Sequence, residues 1–216
     1  MRNMSETDEQ GILDGFCRRA ELRRRSLEGE EAQWVNRTRV DFSQAKVFYG
    51  MAQRALALRR MLGEVIAAVR AGGEEIYRRT FTVKAFSTRA EYSMLGLACA
   101  LGDYGMARLA VLHGADPDVG IISHAKEAGT LVEPPLGTVL ACAFPEEDAL
   151  RPSDAERAEF CDWLMAHGAT LQREDVTWEL FIAASYLHAE DITWAENWLR
   201  EHGGTIAPER SDHSGK

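Results

Sequence analysis

Three histidines, His113, His167 and His202, each stand directly before a glycine. Imidazoles in a set of three are the usual material of a metal site. Here they are one position met three times, in His113-Gly114-Ala115, His167-Gly168-Ala169 and His202-Gly203-Gly204. Stacked units would hold them in a row, one unit apart. A histidine at a helix C-terminus also meets the negative end of the helix dipole, so a structural role is expected. The acidic triplet Glu146-Glu147-Asp148 offers paired carboxylates for acid–base work, which needs a buried cleft and separated pKa values. Its neighbours Pro145 and Pro152 instead point to a solvated loop. Cys17, Cys99, Cys142 and Cys161 are widely spaced with no CxxC pair and read as small buried hydrophobes. No phosphate-cradling GxGxxG or GxxxxGK[ST], HExxH helix, GxSxG elbow or kinase signature is present. The sequence assigns no catalytic residue, metal ligand or cofactor.

The elements that carry these residues are read from the shared endings. Gly114, Gly168 and Gly203 fall where a helix closes in a left-handed residue, which glycine adopts without a Cβ clash. Upstream of each, one register holds Leu109, Trp163 and Trp198, and the next holds Ala110, Leu164 and Leu199. Met106, Phe160 and Ala195 lie about a turn earlier, which completes an apolar helical stripe. Shorter helices rich in small residues precede them, at Leu95–Cys99, Leu140–Phe144 and Leu180–Ala184. The run from Ser93-Met94-Leu95-Gly96-Leu97-Ala98 to His113-Gly114-Ala115-Asp116-Pro117 resembles one ankyrin repeat almost position by position. The closing glycine recurs after 54 and then 35 residues, against an ankyrin period of about 33. Insertions at 117–137 and 145–153 account for the long interval. The resemblance implies an all-α, ankyrin-like helical solenoid with a helical N-terminal cap, because single helix pairs cannot bury their apolar faces.

Upstream, residues 5–30 suggest a charged helix with Ser5 as N-cap. Gln44 to Arg70 is a proline-free helical stretch that stops at Ala71-Gly72-Gly73. Val65, Ile66 and Val69 before the glycine pair suggest a degenerate first repeat. The expected organisation is therefore a helical cap region over 1–89, ankyrin-like repeats over 90–206, and a mobile tail over 207–216. No apolar run approaches the ~20 residues that span a bilayer. The acidic N-terminus is unlike a secretory signal, and a cytoplasmic location is expected.

The charge of −9 is unevenly divided. Residues 1–89 hold 17 Lys/Arg against 12 Asp/Glu, a net of +5, whereas residues 90–216 hold 8 against 22, a net of −14. An acidic repeat face suits a basic protein partner and disfavours nucleic acid. In the Arg18–Arg25 cluster, interspersed glutamates favour pairing within the helix. In proteins resembling ankyrins, fingers and first helices make the recognition face. This points to the finger residues Asp118, Ile121, Ile122, His124, Lys126 and Glu127, with Asp116 at its base. Gly120 and Gly129 bound the Ile121–Ile122 pair and suggest a hairpin or a short extra helix. Tyr92, Tyr104, Trp178, Tyr186 and Trp194 are aromatic anchor candidates; Trp163 and Trp198 are assigned to the core by register. The expected function is a non-catalytic protein–protein binding module that sterically blocks a basic partner. Stand-alone ankyrin-like proteins of this kind resemble bacterial cognate inhibitors, including immunity proteins that neutralise a toxin. A scaffold or secreted effector that binds a host protein is the alternative, and a homo-oligomer joining the Arg-rich helix to the acidic repeats is open.

Overall fold

In a computed structural model the described residues are 6–40, 43–85, 88–125, 129–141, 151–171 and 189–203. They open with a long antiparallel pair of helices, α1 (Glu6–Val40) and α2 (Ala45–Ala71). The second helix forms because its apolar residues recur at helical spacing, burying Ala55, Leu62, Val65, Ile66 and Val69 on one side. It stops as read from the sequence: Gly72 has φ +74° and its N–H bonds to the Val69 carbonyl at 3.1 Å. A 3-10 turn (Glu74–Arg78) leads into strands β1 (Thr80–Ala85) and β2 (Thr88–Ser93). Helices α3 (Met94–Ala100) and α4 (Tyr104–Leu112) follow, then strands β3 (Ile121–Ala125) and β4 (Gly129–Glu133). Helices α5 (Pro135–Ala141), α6 (Asp154–Ala166) and α7 (Ala189–Glu201) complete the described chain.

The expected all-α solenoid is overturned by a four-stranded antiparallel sheet in the order β1-β2-β3-β4. Its cause is legible in β1, where Thr80-Phe81-Thr82-Val83-Lys84-Ala85 alternates exposed and buried residues with a period of two. That is the signature of a half-buried strand and is incompatible with a helical stripe. The region assigned to a helical cap thus contributes two strands, and position 89/90 falls inside β2. The finger takes the hairpin form, and β2 pairs with β3 to join the two hairpins. One sheet face, with Phe81, Tyr92 and Ile121 in register, is buried in the common core; α2 packs against the sheet on β1.

The helix endings behave as their glycines require. Gly114, Gly168 and Gly203 have φ of +87°, +102° and +76°. At the first two, the glycine N–H bonds to the carbonyl three residues back, and the next residue's N–H reaches five back: Ala115 to Ala110 and Ala169 to Leu164, both at 2.9–3.0 Å. This is the Schellman closure, which satisfies otherwise orphaned carbonyls. Two shared registers hold, since Met106, Phe160 and Ala195 are fully buried, as are Ala110 and Leu164; in the other, Leu109 and Trp198 are buried but Trp163 is half-buried. Starts are equally specified. Ser93 Oγ accepts from the Gly96 N–H at 2.9 Å and donates to the Val119 carbonyl, tying α3 to the entry of β3. Ser153 and Glu156 form a reciprocal capping box at the start of α6.

Candidate functional site

The sheet has one covered face and one outer face. Reading across the strands in register, the outer face carries a row of Thr82, Glu91, Ile122 and Val132, and beside it Lys84, Arg89, His124 and Thr130. Thr82, Lys84, Arg89 and Thr130 are exposed; Ile122, His124 and Val132 are half-exposed. The polar groups are already mutually ordered. His124 Nδ1 lies 3.0 Å from Thr130 Oγ1, its Nε2 is 3.9 Å from Glu91, and Arg89 pairs with Glu91. The result is a short apolar strip, Ile122 with Val132, held between fixed charges of both signs. Such a surface suits recognition of another protein, where a small apolar centre is rimmed by polar groups.

The sequence candidates divide sharply against this geometry. Ile122 and His124 lie on the outer face, but Ile121 is 5% exposed and points into the core. The consecutive isoleucines are thus on opposite sides of one strand, as period two demands. Tyr92 is also buried: it faces Ile121 on the covered side, and Arg54 of α2 hydrogen-bonds its hydroxyl. Tyr104 stacks on Phe160 with ring centres 4.4 Å apart and serves packing between α4 and α6. Asp116 is exposed at the α4–β3 corner and accepts the Asp118 N–H at 2.9 Å. Asp118 is an internal staple whose carboxylate takes both the N–H and the hydroxyl of Thr170. Trp194 is half-buried on α7, with the buried Arg157 guanidinium 4.3 Å from its ring centre. Lys126, Glu127, Trp178 and Tyr186, together with Cys142 and the 146–148 triplet, lie outside the described residues.

The three histidines are engaged at their own helix ends. His167 and His202 stack on Trp163 and Trp198, and each Nδ1 lies 2.7–2.8 Å from the carbonyl of that tryptophan. His113 stacks on Tyr77, whose hydroxyl donates to Glu9 of α1. Burial, reinforced by Glu9, pushes the Tyr77 hydroxyl pKa well up, so it remains a donor. Among the described residues no group of three or more His, Cys, Asp or Glu side chains could hold a metal ion. Cys17, Cys99 and Cys161 are buried, and burial raises the thiol pKa of Cys161 strongly.

A polar cleft of about 380 Å³ separates α1 from the starts of α4 and α6, with Arg19, Asp103, Arg151 and Glu156 on its walls. Its two carboxylates are committed to helix starts. Asp103 Oδ1 accepts the Met106 N–H at 3.0 Å and the group lies 3.6 Å from Arg19 Nε; burial nevertheless raises its pKa. Glu156 is held low by its capping bonds to Ser153. The cleft opens to solvent and brings no nucleophile beside a base.

Comparison of the chain with family models, curated proteins and solved structures gives no match. The outer-face partners Lys84, Arg89, Glu91 and Val132 are absent from the sequence-derived candidates. The alternation in 80–85 is the signal that could have found them, because it fixes which residues of the neighbouring strands face outward.

On the covered side, Glu133 of β4 is half-buried beside Ser123 at 3.5 Å. Burial raises its pKa above the ordinary 4.5, and attraction to Arg54 only partly opposes this. A raised carboxyl favours the fold fully below its ordinary value, and that contribution is lost as pH rises through the folded value. Glu133→Gln is accordingly expected to raise Tm slightly at neutral pH, by about 2 °C or less given its partial exposure. Near pH 4 the gain should vanish, and melting curves at the two pH values check this.

Among the described residues no helix is long and apolar enough to cross a membrane.

Proposed function

We propose that this chain is a non-catalytic protein-binding module that seats a partner on the outer face of its sheet and covers that partner's active or assembly surface. The observation that carries the reading is the Ile122–Val132 strip, flanked by pre-ordered Glu91, Arg89 and His124 and, among the described residues, left open by the elements that bury the other face. Packed strands hold these side chains in place, so little ordering cost falls on binding. A second feature supports a basic partner. Helix α6 exposes Asp154, Glu159 and Asp162 while its one cation, Arg157, is buried, donating to the Val139 and Leu140 carbonyls. With the net of −14 over residues 90–216, this field would speed encounter with a basic partner and repel acidic competitors. Occlusion of a basic protein is the action of a cognate inhibitor, and an immunity protein that neutralises a toxin is the form we favour.

The test is affinity capture from the source cell with the wild-type chain and with an Ile122→Asp/His124→Asp variant. One basic protein recovered near equal stoichiometry by the wild type, and lost with the variant, supports the reading. Equal recovery by both chains places the contact elsewhere and overturns the assignment of the outer face. Recovery of no partner by the wild type overturns the module itself.

A further inference from the structure

We propose that the free end of the α1–α2 hairpin docks on the acidic α4–β3 corner of a second copy of this chain, in a reciprocal two-fold dimer. Between Leu27 and Ala52 no described residue is buried, so the last 13 residues of α1 and the start of α2 project beyond the core. What holds this end together is modest: Trp34 stacks on Phe48 at 5.7 Å, and Arg59 bridges Glu28 and Glu31. A projecting polar hairpin would carry charges on its surface. This one instead exposes Val35, Val40, Val47, Tyr49 and Met51, with Val40 at 85% and Tyr49 at 51%. Apolar exposure concentrated in this way marks an interaction surface.

The charge of this end selects the occupant. Residues 32–54 contain four Lys/Arg and one Asp/Glu. Among the described residues no carboxylate pairs with Arg37, Arg39 or Lys46, and Arg37 lies over the Trp34 ring at 4.7 Å. The Arg18–Arg25 cluster behaves otherwise: Arg24 and Arg25 pair with Glu21, Arg23 with Glu30, and Glu21 is held at about 2, chiefly by its hydrogen bond to Arg24. Pairing two hairpin ends would bring like charges together. The acidic half of the chain reverses the sign, and it also supplies matching apolar surface. Among the described residues, Leu112, 52% exposed, and Val119 are the other large exposed apolar residues besides Leu22, and they flank the exposed Asp116 in the chain. Area decides between a dimer and an open chain of copies. Thirteen helical residues span about 20 Å, and two helices side by side about 20 Å, so one contact removes on the order of 800 Å² from both copies. That is below what a specific interface needs, whereas two reciprocal contacts reach about 1,600 Å².

Sedimentation velocity on the full chain tests this. A dimer is expected at low salt, with its dissociation constant rising about tenfold or more at ~0.5 M salt. Arg39→Glu/Lys46→Glu on the hairpin end and Asp116→Lys on the corner should each give monomers that remain folded, since all three side chains are exposed. Mixing the two variants should restore a dimer, because in the mixed pair one contact is charge-reversed on both sides and the other is native. A monomeric wild type at low salt, a dimer that persists in either variant, or a mixture that stays monomeric overturns the proposal. The outer sheet face is untouched by these substitutions, so partner capture and dimer formation fail independently.

Discussion

Gly120→Ala is expected to prevent folding, or to cost about 3 kcal/mol or more where a folded fraction survives. A Cβ on Gly120 would stand 2.3 Å from the Glu133 carbonyl oxygen and 3.0 Å from the Pro135 nitrogen. Both obstacles are backbone, and neither has a rotamer through which to withdraw. The crowding continues on the other side, where a Cβ on Gly96 would meet the Gly120 carbonyl carbon at 2.5 Å. At this crossing the first turn of α3, the entry of β3 and the exit of β4 share one contact, fastened by Ser93 N–H to Gly120 O at 3.0 Å. A one-carbon addition therefore separates α3 from the sheet and β3 from β4 together. Gly120 does not take a left-handed φ, so the defect is one of space and not of backbone conformation. Chemical denaturation of Gly120→Ala beside Gly129→Ala separates the two causes. Gly129 has φ +79° with nothing near its absent Cβ, and its replacement should cost only about 1 kcal/mol. Comparable losses at the two positions would show that the crossing is not rigid.

The helices were legible where sequence alone fixes them: a period of 3.6, a capping serine and a glycine that must turn left-handed. Gln44, Gly72, Ser93 and Gly114 each mark an observed boundary. The sheet escaped for two physical reasons. In the finger, Ile121 and Ile122 form a continuous apolar pair, and a strand whose outer face is also partly apolar shows no alternation to read. In 80–93 the alternation is present, but Thr88-Arg89-Ala90-Glu91 is polar enough to pass for a linker until pairing with Phe81 and Val83 is known. Tyr92 shows why composition alone misassigned the contact residues. An aromatic is an interface anchor only when its face of the strand is open, and register decides which face that is. Asp118 makes the same point for charge, since its carboxylate is consumed by Thr170, 52 positions away in sequence.

The same register makes neighbouring isoleucines behave oppositely, which gives the second large effect. Ile121→Asp should cost about 4 kcal/mol or more, because it buries a carboxylate in the row of Phe81 and Tyr92 with no cation dedicated to it. Arg54, which acts on the register neighbours of Ile121, already serves Tyr92 and Glu133. Ile122→Asp places the charge on the outer face, where water solvates it, and should cost about 1 kcal/mol at most. Its neighbours there, Glu91 across on β2 and His124 two residues along, make the local field mixed. Thermal melts of the two variants measured together decide the matter. Loss of folding for Ile121→Asp with a near-native Tm for Ile122→Asp fixes the two faces. A fall in Tm of similar size for both would mean that the outer face is covered in the folded chain, and the strip between Glu91, Arg89 and His124 could not then be the surface that meets a partner.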